Sequence, residues 1–335
     1  MNETPAARRA LLGVSPRAYE HPADRSALAA LRKLEGYGLL LRALSGLLRD
    51  RAHRYYAIAN GVRVGERQFA DVHRLVVEGA GILDLAEVPE VFVVQSPLVL
   101  ARTTGLDHPF VVLSTATLDL FDEDELRFVV GHELGHVLSG HGVYRTMLDH
   151  VLTWSLRIAW VPLGTLGLRA LLAALTEWYR RSELSGDRAG LLAGQDPDVA
   201  LRALMKLAGG SRLHEMDQEA FLAQAEEYEA SGDVRDSVIK LLNLETATHP
   251  FPVARARALR EWIDDGSYAR VLSGDYPRRA DDPQVSVLDE AKEAARTYRD
   301  AAQRSADPLV RLLRQAGGEA ASAGERIYRK MSGQE

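Results

Sequence analysis

The sequence contains no cysteine, and this excludes disulfide-stabilised folds, thiolate zinc sites, iron–sulfur clusters and cysteine nucleophiles. An excess of positive charge is also missing, since the 335 residues carry a net charge of −6. We therefore expect no nucleic-acid partner, because such proteins usually present a basic surface to the phosphates. The hydrophobic fraction of 46% is that of a globular protein with a substantial core.

Long uninterrupted apolar runs are absent as well. The most apolar stretch, residues 151–175, is broken by Arg157, Pro162 and Arg169, whereas a membrane-spanning helix needs about 20 apolar residues in a row. We predict a buried or amphipathic helical hairpin there, with contact to a membrane surface as the alternative. The first residues show no signal-peptide pattern, and we predict a soluble, cytoplasmic protein.

The spacing of apolar residues predicts a mainly helical chain with one short β-rich region. Three runs rich in β-branched residues predict a sheet of three or four strands. These runs are 91–95, 98–102 and 110–114. Apolar positions at helical spacing predict helices over much of the rest of the chain. The main ones are about 24–54, 67–80, 177–194, 198–208 and 215–230.

One further helix is predicted with clear start and stop signals. Asp122 and Glu125 have the spacing of a capping box, in which each side chain binds a backbone N–H at the helix start. Glycines at 140 and 142 predict that the helix ends near Ser139.

That helix contains an H-E-x-x-H pattern at residues 132–136. Since a helix has 3.6 residues per turn, His132 and His136 lie on the same face, and both imidazoles can reach one metal ion. Neutral imidazole is a good ligand for Zn²⁺. Glu133 lies about 100° further around the helix, beside such an ion, where a general base for a water molecule is needed.

A zinc site of this kind needs a third protein ligand and an open position for water. Glu183 and Asp187 stand four residues apart and share one face of a predicted helix. Glu183 is our candidate for the third ligand, with Glu177 as the alternative. Asp187 could accept the second ring N–H of a ligand histidine and orient it. His141 points away from the ligand face, and we predict a surface position or a position behind the ligands.

Three blocks, in this order, resemble the gluzincin metallopeptidases of family forty-eight, which include HtpX-type membrane proteases, CAAX prenyl proteases and soluble bacterial homologues. The blocks are residues 132–136 with their acidic lead-in, Glu183-Leu-Ser-Gly-Asp187, and Thr248-His-Pro250 followed by Arg255. The segment Tyr19-Glu-His-Pro22 resembles the soluble subgroup of that family.

The resemblance implies a zincin-like peptidase with one Zn²⁺ per chain, in which Glu183 is the third ligand and Asp187 orients a ligand histidine. It also implies that His249 donates a hydrogen bond to the oxyanion of the reaction. Arg255 could pair with a carboxylate or orient the segment that carries His249. Two positions depart from the family pattern. Gly186 stands where the family prefers alanine, and Val99-Leu-Ala101 stands where its substrate-binding strand often has Asn-Ala-Phe.

We therefore predict an α+β, mainly helical chain with a zincin-like metallopeptidase domain, a small β-sheet and an H-E-x-x-H active-site helix. The expected activity is zinc-dependent hydrolysis of peptide bonds in proteins or peptides, with an extended substrate lying along an edge of the sheet. One alternative is a latent or inactive zinc-binding regulatory protein with an occluded cleft. Another is a different divalent metal, such as iron, which also binds two histidines and a carboxylate.

The predicted domain organisation has three parts. A helical region at 1–90 packs on a catalytic domain at 91–265, and a linker with a helical tail occupies 266–335. The linker is predicted from the proline-rich stretch 276–283. The tail is rich in alanine and balanced charges, and it offers a surface through which the chain could form oligomers.

Overall fold

The structure is a computed structural model. It describes residues 8–25, 49–105, 108–142, 145–146, 148, 165–230 and 251–284. The helices are α1 (Arg49–Asn60), α2 (Ala70–Ile82), α3 (Thr115–Leu120), α4 (Glu123–Leu138), α5 (Thr165–Gly194), α6 (Pro197–Gly209), α7 (Gln218–Ala230), α8 (Pro252–Asp264) and α9 (Ser267–Ser273). The strands are β1 (Gly61–Arg63), β2 (Val91–Val94), β3 (Ala101–Thr104) and β4 (Phe110–Ser114). The predicted α+β class, mainly helical with one small sheet, is confirmed.

The sheet is mixed, with the order β1-β2-β4-β3. β2 runs parallel to β4, while β1 and β3 are antiparallel to their neighbours. β1 falls inside the region predicted to be helical, and β3 begins three residues later than predicted. β3 starts later because the backbone N–H of Leu100 donates to the side-chain hydroxyl groups of Ser114 and Thr117 and not to a backbone carbonyl of β4. β3 lies at one edge of this sheet and contacts α4.

Helix α4 begins and ends where the sequence predicts. The Asp122 side chain accepts from the backbone N–H of Glu125, and the Glu125 side chain accepts from that of Asp122. The helix is buried on all sides from Glu125 to His136, because α2, α5, α6 and β3 all contact it. Its polar residues therefore lie inside the protein, where each needs a hydrogen-bonding or ionic partner.

Helices α4 and α5 approach each other closely along a row of small residues. A methyl group added at Gly135 would lie 2.2 Å from the Cβ atom of Ala189, and one added at Gly131 would lie 2.4 Å from that of Ala193. Real carbon atoms do not approach so closely, so glycine is required at both positions of α4. This contact sets the distance between the residue pair His132 and His136 on one helix and the acidic residues on the other.

Gly135→Ala is expected to lower the free energy of unfolding by about 1–3 kcal/mol, the usual cost of overpacking a core. The clash with Ala189 outweighs the gain of about 1 kcal/mol that alanine brings over glycine in a helix. Urea unfolding followed by circular dichroism measures the change.

Gly81→Ala is the matched control, because Gly81 lies in α2 with no atom within 4 Å of an added methyl group. We expect it to be neutral or stabilising. The double variant Gly135→Ala/Ala189→Gly should recover part of the lost stability. If Gly135→Ala unfolded at the wild-type urea concentration, the close helix contact would be contradicted.

The two ends of the described chain meet. Val14 and Arg278 form an antiparallel bridge, the N–H of Ser15 donates to the carbonyl of Pro277, and Arg279 pairs with Asp84. The stretch 276–283, predicted as a linker, is therefore held against the N-terminal segment and ends in a 3₁₀ turn at Arg279–Gln284. Its prolines and charged residues resemble a linker in composition, while its contacts are with residues far away in the sequence.

Several predictions fall on residues outside the described ranges. These are most of the helix at 24–54, the first part of the 151–175 hairpin and the C-terminal tail. The rest of that hairpin segment belongs to the start of α5. The division into domains at 1–90, 91–265 and 266–335 stays a prediction. Among the described helices, none is long and apolar enough to cross a membrane.

Candidate metal centre

Three donor groups from two helices meet in one buried place. His132 and His136 on α4 direct their Nε2 atoms at each other, 3.0 Å apart. The carboxylate of Glu183 on α5 places one oxygen 3.5 Å from each of these nitrogens. All three side chains are buried. Within the described residues, they form the one group of this kind that could hold a metal ion.

The three donor groups form a triangle whose dimensions suit a cation with tetrahedral coordination. Ligand atoms about 2.0–2.1 Å from a zinc ion lie about 3.3 Å from one another in a tetrahedron. The distances observed here are 3.0 Å between the two nitrogens and 3.5 Å from each nitrogen to its nearer Glu183 oxygen. Two imidazoles and one carboxylate also match the chemistry that Zn²⁺ prefers, so the three residues selected from the sequence fit this ion.

Asp187 holds the ring of His132 from behind. Its Oδ1 atom lies 3.1 Å from His132 Nδ1. Arg255, on α8, donates two hydrogen bonds to the same carboxylate, at 2.6 and 2.8 Å. The carboxylate is therefore locked between a guanidinium group and an imidazole. His132 is left with Nε2 directed towards His136 and Glu183.

The charges around His132 determine its protonation. Burial alone lowers the pKa of His132, but the carboxylates of Asp187 and Glu183 outweigh burial and raise this pKa to about 9. Burial has the opposite effect on Asp187 and raises its pKa, yet the Arg255 guanidinium holds the pKa of this carboxyl group below its ordinary value. Asp187 is thus an anion, and the hydrogen bond to it is charge-assisted.

His136 has a different neighbour, His141. The two Nδ1 atoms are 2.9 Å apart. Burial lowers the pKa of His136 well below its ordinary value and lowers that of His141 to about 4, so both rings are neutral. Two positions were predicted for His141, one at the surface and one behind the candidate ligands. The structure places His141 behind them, since its side chain is buried.

Glu133 is the buried acid beside the two histidines. Its Oε2 atom accepts hydrogen bonds from the Thr103 hydroxyl at 2.7 Å and from Arg145 at 3.3 Å. Its Oε1 atom lies 3.9 Å from His132 Nε2. One oxygen is therefore anchored, while the other faces the donor triangle.

Glu183 is flanked by two arginines. Arg145 donates a hydrogen bond of 2.6 Å to Oε1, and Arg255 lies 3.6 Å from Oε2. Burial raises the pKa of Glu183, but Arg145 and the two histidines hold it well below its ordinary value. Glu183 is ionised, as a metal-binding carboxylate has to be.

Arg145 is the residue that sequence analysis missed. It is 1% exposed and joins Glu133, Glu183 and the hydroxyl group of Tyr179, to which it donates at 2.8 Å. The available signal was weak: an arginine nine residues after His136, near an apolar stretch. A long-range contact of this kind leaves no periodic pattern in the sequence.

Gly186, the departure from the family pattern, lies directly against the site. A methyl group at this position would lie 2.6–2.8 Å from ring atoms of His132. In this chain, glycine at 186 therefore makes room for the imidazole.

A cleft opens beside the donor triangle. Its volume is about 270 Å³, and its floor includes His132, Glu133, Glu183 and Arg255. The remaining walls are mostly apolar and come from β3 with the loop before it, α3 with the residue after it, α4, α6 and the start of α8. They include Leu100, Ala101, Phe121, Val129, Leu207 and Phe251.

The structure brings together six of the seven site residues selected from the sequence: His132, Glu133, His136, Glu183, Asp187 and Arg255. The seventh, His249, lies outside the described residues, and so does the side chain of Glu177. Segments that could cover the cleft, among them the 151–175 hairpin and the C-terminal tail, also lie largely outside the described part of the chain.

Comparison with known proteins identifies the group to which this arrangement belongs. Peptidase family M48 matches residues 66–263, which is more than half of the chain. The chain belongs to peptidase family M48. It is therefore a metallopeptidase, a hydrolase, and the predicted zincin-like fold is that of an M48 domain.

Two curated relatives illustrate the breadth of the family. The chain is 37% identical over 260 residues to the plastoglobule-localized metallopeptidase 48, chloroplastic, of Arabidopsis thaliana, covering 76% of this chain and 74% of that protein. It is 28% identical over 284 residues to the protease HtpX of Xanthomonas axonopodis pv. citri, covering 75% of this chain and 89% of that protein. No solved structure matches this M48 metallopeptidase significantly.

Proposed function

We propose that this M48 metallopeptidase is a zinc-dependent endopeptidase in which His132, His136 and Glu183 bind one Zn²⁺ ion. The observation that carries the proposal is the triangle of donor groups with the Glu133 carboxylate beside it. The two imidazole nitrogens are 3.0 Å apart, and each lies 3.5 Å from an oxygen of Glu183. When bound, the ion supplies Lewis-acid chemistry, because it makes water more acidic and polarises the scissile carbonyl group.

Glu133 is the general base of the reaction. Its Oε1 atom removes a proton from the attacking water and later delivers that proton to the nitrogen of the leaving amine. Thr103 and Arg145 bind the other oxygen, so they keep the carboxylate oriented while the proton moves. Asp187 and Arg255 hold the ring of His132 in its binding orientation.

His249 completes the proposal by family resemblance. The resemblance gives this histidine the role of donating a hydrogen bond to the oxyanion that forms when water adds to the carbonyl carbon. A donor at that position stabilises charge that develops in the transition state.

An extended peptide is the proposed substrate. Within the described sheet, β3 is an edge strand whose neighbour is β4, and Thr103 on β3 contacts Glu133. A substrate strand paired antiparallel to β3 would therefore pass the general base. Main-chain hydrogen bonds of this kind bind peptides with little dependence on sequence.

The apolar walls of the cleft select one side chain of the substrate. A recess of about 270 Å³ beside Glu133 accommodates a large apolar residue, such as leucine or phenylalanine, next to the scissile bond. Burying such a side chain contributes about 1.5–3 kcal/mol.

Leu207→Phe is expected to narrow this recess and to shift the cleavage preference towards smaller side chains. The ratio of kcat/KM for a phenylalanine peptide to that for the matched alanine peptide should fall about tenfold or more, since small volume changes in an apolar pocket have effects of this size. Paired peptides that differ only at that position measure the ratio.

Leu12→Phe is the control for this change, because Leu12 is 63% exposed and does not line the cleft. It should leave the ratio unchanged. An unchanged ratio in Leu207→Phe, or an equal loss with both peptides, would contradict the proposed recess.

The function itself is tested by metal analysis of the purified full chain together with digestion of a broad peptide library. We expect one zinc ion per chain and internal cleavage of peptides, lost when a chelator removes the metal and restored by added zinc. The Glu133→Gln variant is the inactive control. Zinc binding without cleavage of any substrate would instead favour the zinc-binding regulatory protein.

A further inference from the structure

The N-terminal segment Tyr19–Asp24 lies directly behind the metal centre. Tyr19 is fully buried, and its hydroxyl group donates to the carbonyl of Gly135 at 3.0 Å and lies 2.9 Å from the Ser139 hydroxyl. Gly135 immediately precedes His136. The segment is thus anchored to the helix that carries both histidines.

The same segment is also anchored to α5. The backbone N–H of His21 donates to the hydroxyl of Ser185 at 2.9 Å, and that hydroxyl donates to Asp24 Oδ2 at 2.6 Å. Ser185 follows Glu183 by two residues, and Asp24 is 1% exposed. The Asp24 carboxylate is therefore built into the interior between α4 and α5.

His141 bridges this carboxylate and His136. Its Nε2 atom lies 3.4 Å from Asp24 Oδ2 and its Nδ1 atom lies 2.9 Å from His136 Nδ1. Glu20, the next carboxylate, is 3.9 Å from the same Nε2 atom, too far for a hydrogen bond. The His141 ring packs edge-on against Trp178, with 5.3 Å between ring centroids, so it has little freedom to turn.

The positions of the ring protons of His136 and His141 follow from the number of donors and acceptors between them. Two Nδ1 atoms at hydrogen-bond distance share one proton, so one ring donates and the other accepts. If His136 binds a cation through Nε2, its proton is on Nδ1, and His136 is the donor. His141 then accepts at Nδ1, carries its own proton on Nε2 and directs it at Asp24.

We propose that His141 and Asp24 are positioning residues for His136, so that the N-terminal segment is a working part of the metal centre; this inference rests on the proposed role of His136 as a zinc ligand. His132 has a carboxylate, Asp187, directly behind it, whereas His136 has one that acts through an intervening imidazole. Each ligand ring is then held in its orientation and tautomer from the side opposite the cation.

Zinc affinity is the measurement that tests this arrangement. In competition with a chromophoric chelator, His141→Leu is expected to raise the Kd of the purified full chain for Zn²⁺ by about 10–100-fold, the usual effect of removing a group behind a metal ligand. His141→Gln offers a side-chain oxygen that can accept from His136 Nδ1–H, so it should recover most of the affinity. Asp24→Asn should weaken binding in the same direction.

Ser15→Ala distinguishes positioning from general stabilisation. Ser15 is buried and donates a hydrogen bond of 2.7 Å to Asp282, outside the segment Tyr19–Asp24. Its loss should lower the melting temperature of the metal-free protein and leave the Kd for Zn²⁺ unchanged. Co²⁺ spectra provide a second readout, since a change in ligand orientation alters the visible bands of His141→Leu and leaves those of Ser15→Ala as in the wild type.

The outcomes separate the inference from the function on which it rests. Failure of the wild-type chain to bind zinc would overturn the proposed function. Zinc binding by the wild type with an equal Kd in His141→Leu and Asp24→Asn would overturn the inference alone. If His141→Leu does not fold, the Kd of Asp24→Asn for Zn²⁺ compared with that of Ser15→Ala decides between the two outcomes.

Discussion

Glu133→Gln is expected to lower kcat by about 10²–10⁴-fold, the contribution of a positioned general base, without loss of the bound metal. Glutamine has nearly the same shape and can still accept the hydrogen bond from Thr103 that Glu133 accepts. It cannot take a proton from water, because an amide is not a base at neutral pH. Steady-state kinetics on a cleaved library peptide measure the loss.

Metal content and KM make this prediction specific. The variant should hold one zinc ion per chain and keep the wild-type KM, because the donor triangle does not include Glu133. Retention of full activity would refute the assigned base. Loss of zinc together with activity would show instead that Glu133 acts in holding the metal.

Glu183→Gln is expected to abolish high-affinity zinc binding and to destabilise the protein by about 3–5 kcal/mol, the cost of breaking a buried ion pair by removing one partner. The change removes an anionic ligand and leaves Arg145 and Arg255 with one fewer carboxylate between them. Zinc competition measures the affinity, and urea unfolding of the metal-free protein measures the stability.

Glu125→Gln is the matched control, which separates the loss of zinc binding from the loss of stability. Glu125 is also a fully buried carboxylate, paired with Lys206 at the other end of α4. Its replacement should lower stability and leave the zinc Kd unchanged. Zinc binding by Glu183→Gln at wild-type affinity would refute the assignment of Glu183 as the third ligand.

The sequence predicted the parts of the fold that local signals control. Helix α4 has the predicted start and end because its capping box and the glycines after it act over a few residues. The i, i+4 spacing likewise predicted that His132 and His136 share one face. Strand β1 was missed because three residues with mixed burial carry too little pattern to stand out from the neighbouring helices.

The parts of the site that the sequence did not predict are contacts between residues far apart in the chain. Arg145 reaches Glu183 across 38 positions, and Asp24 meets Ser185 across 161 positions. Neither contact follows from periodicity, because no repeat in the sequence links residues so far apart. Asp187 was selected from its spacing of four residues to Glu183, whereas Arg255 was selected because the resemblance to a family supplied a residue that local patterns do not indicate.

The two buried arginines have a consequence for the way in which the metal enters. Glu133, Glu183 and Asp187 would repel one another in a dry interior, but Arg145 and Arg255 balance most of that charge within the protein itself. Small zinc fingers lack such internal counterions and fold only when metal arrives. If the site binds zinc as proposed, we expect the chain to assemble its pocket before the ion binds, so that metal exchange would not require unfolding.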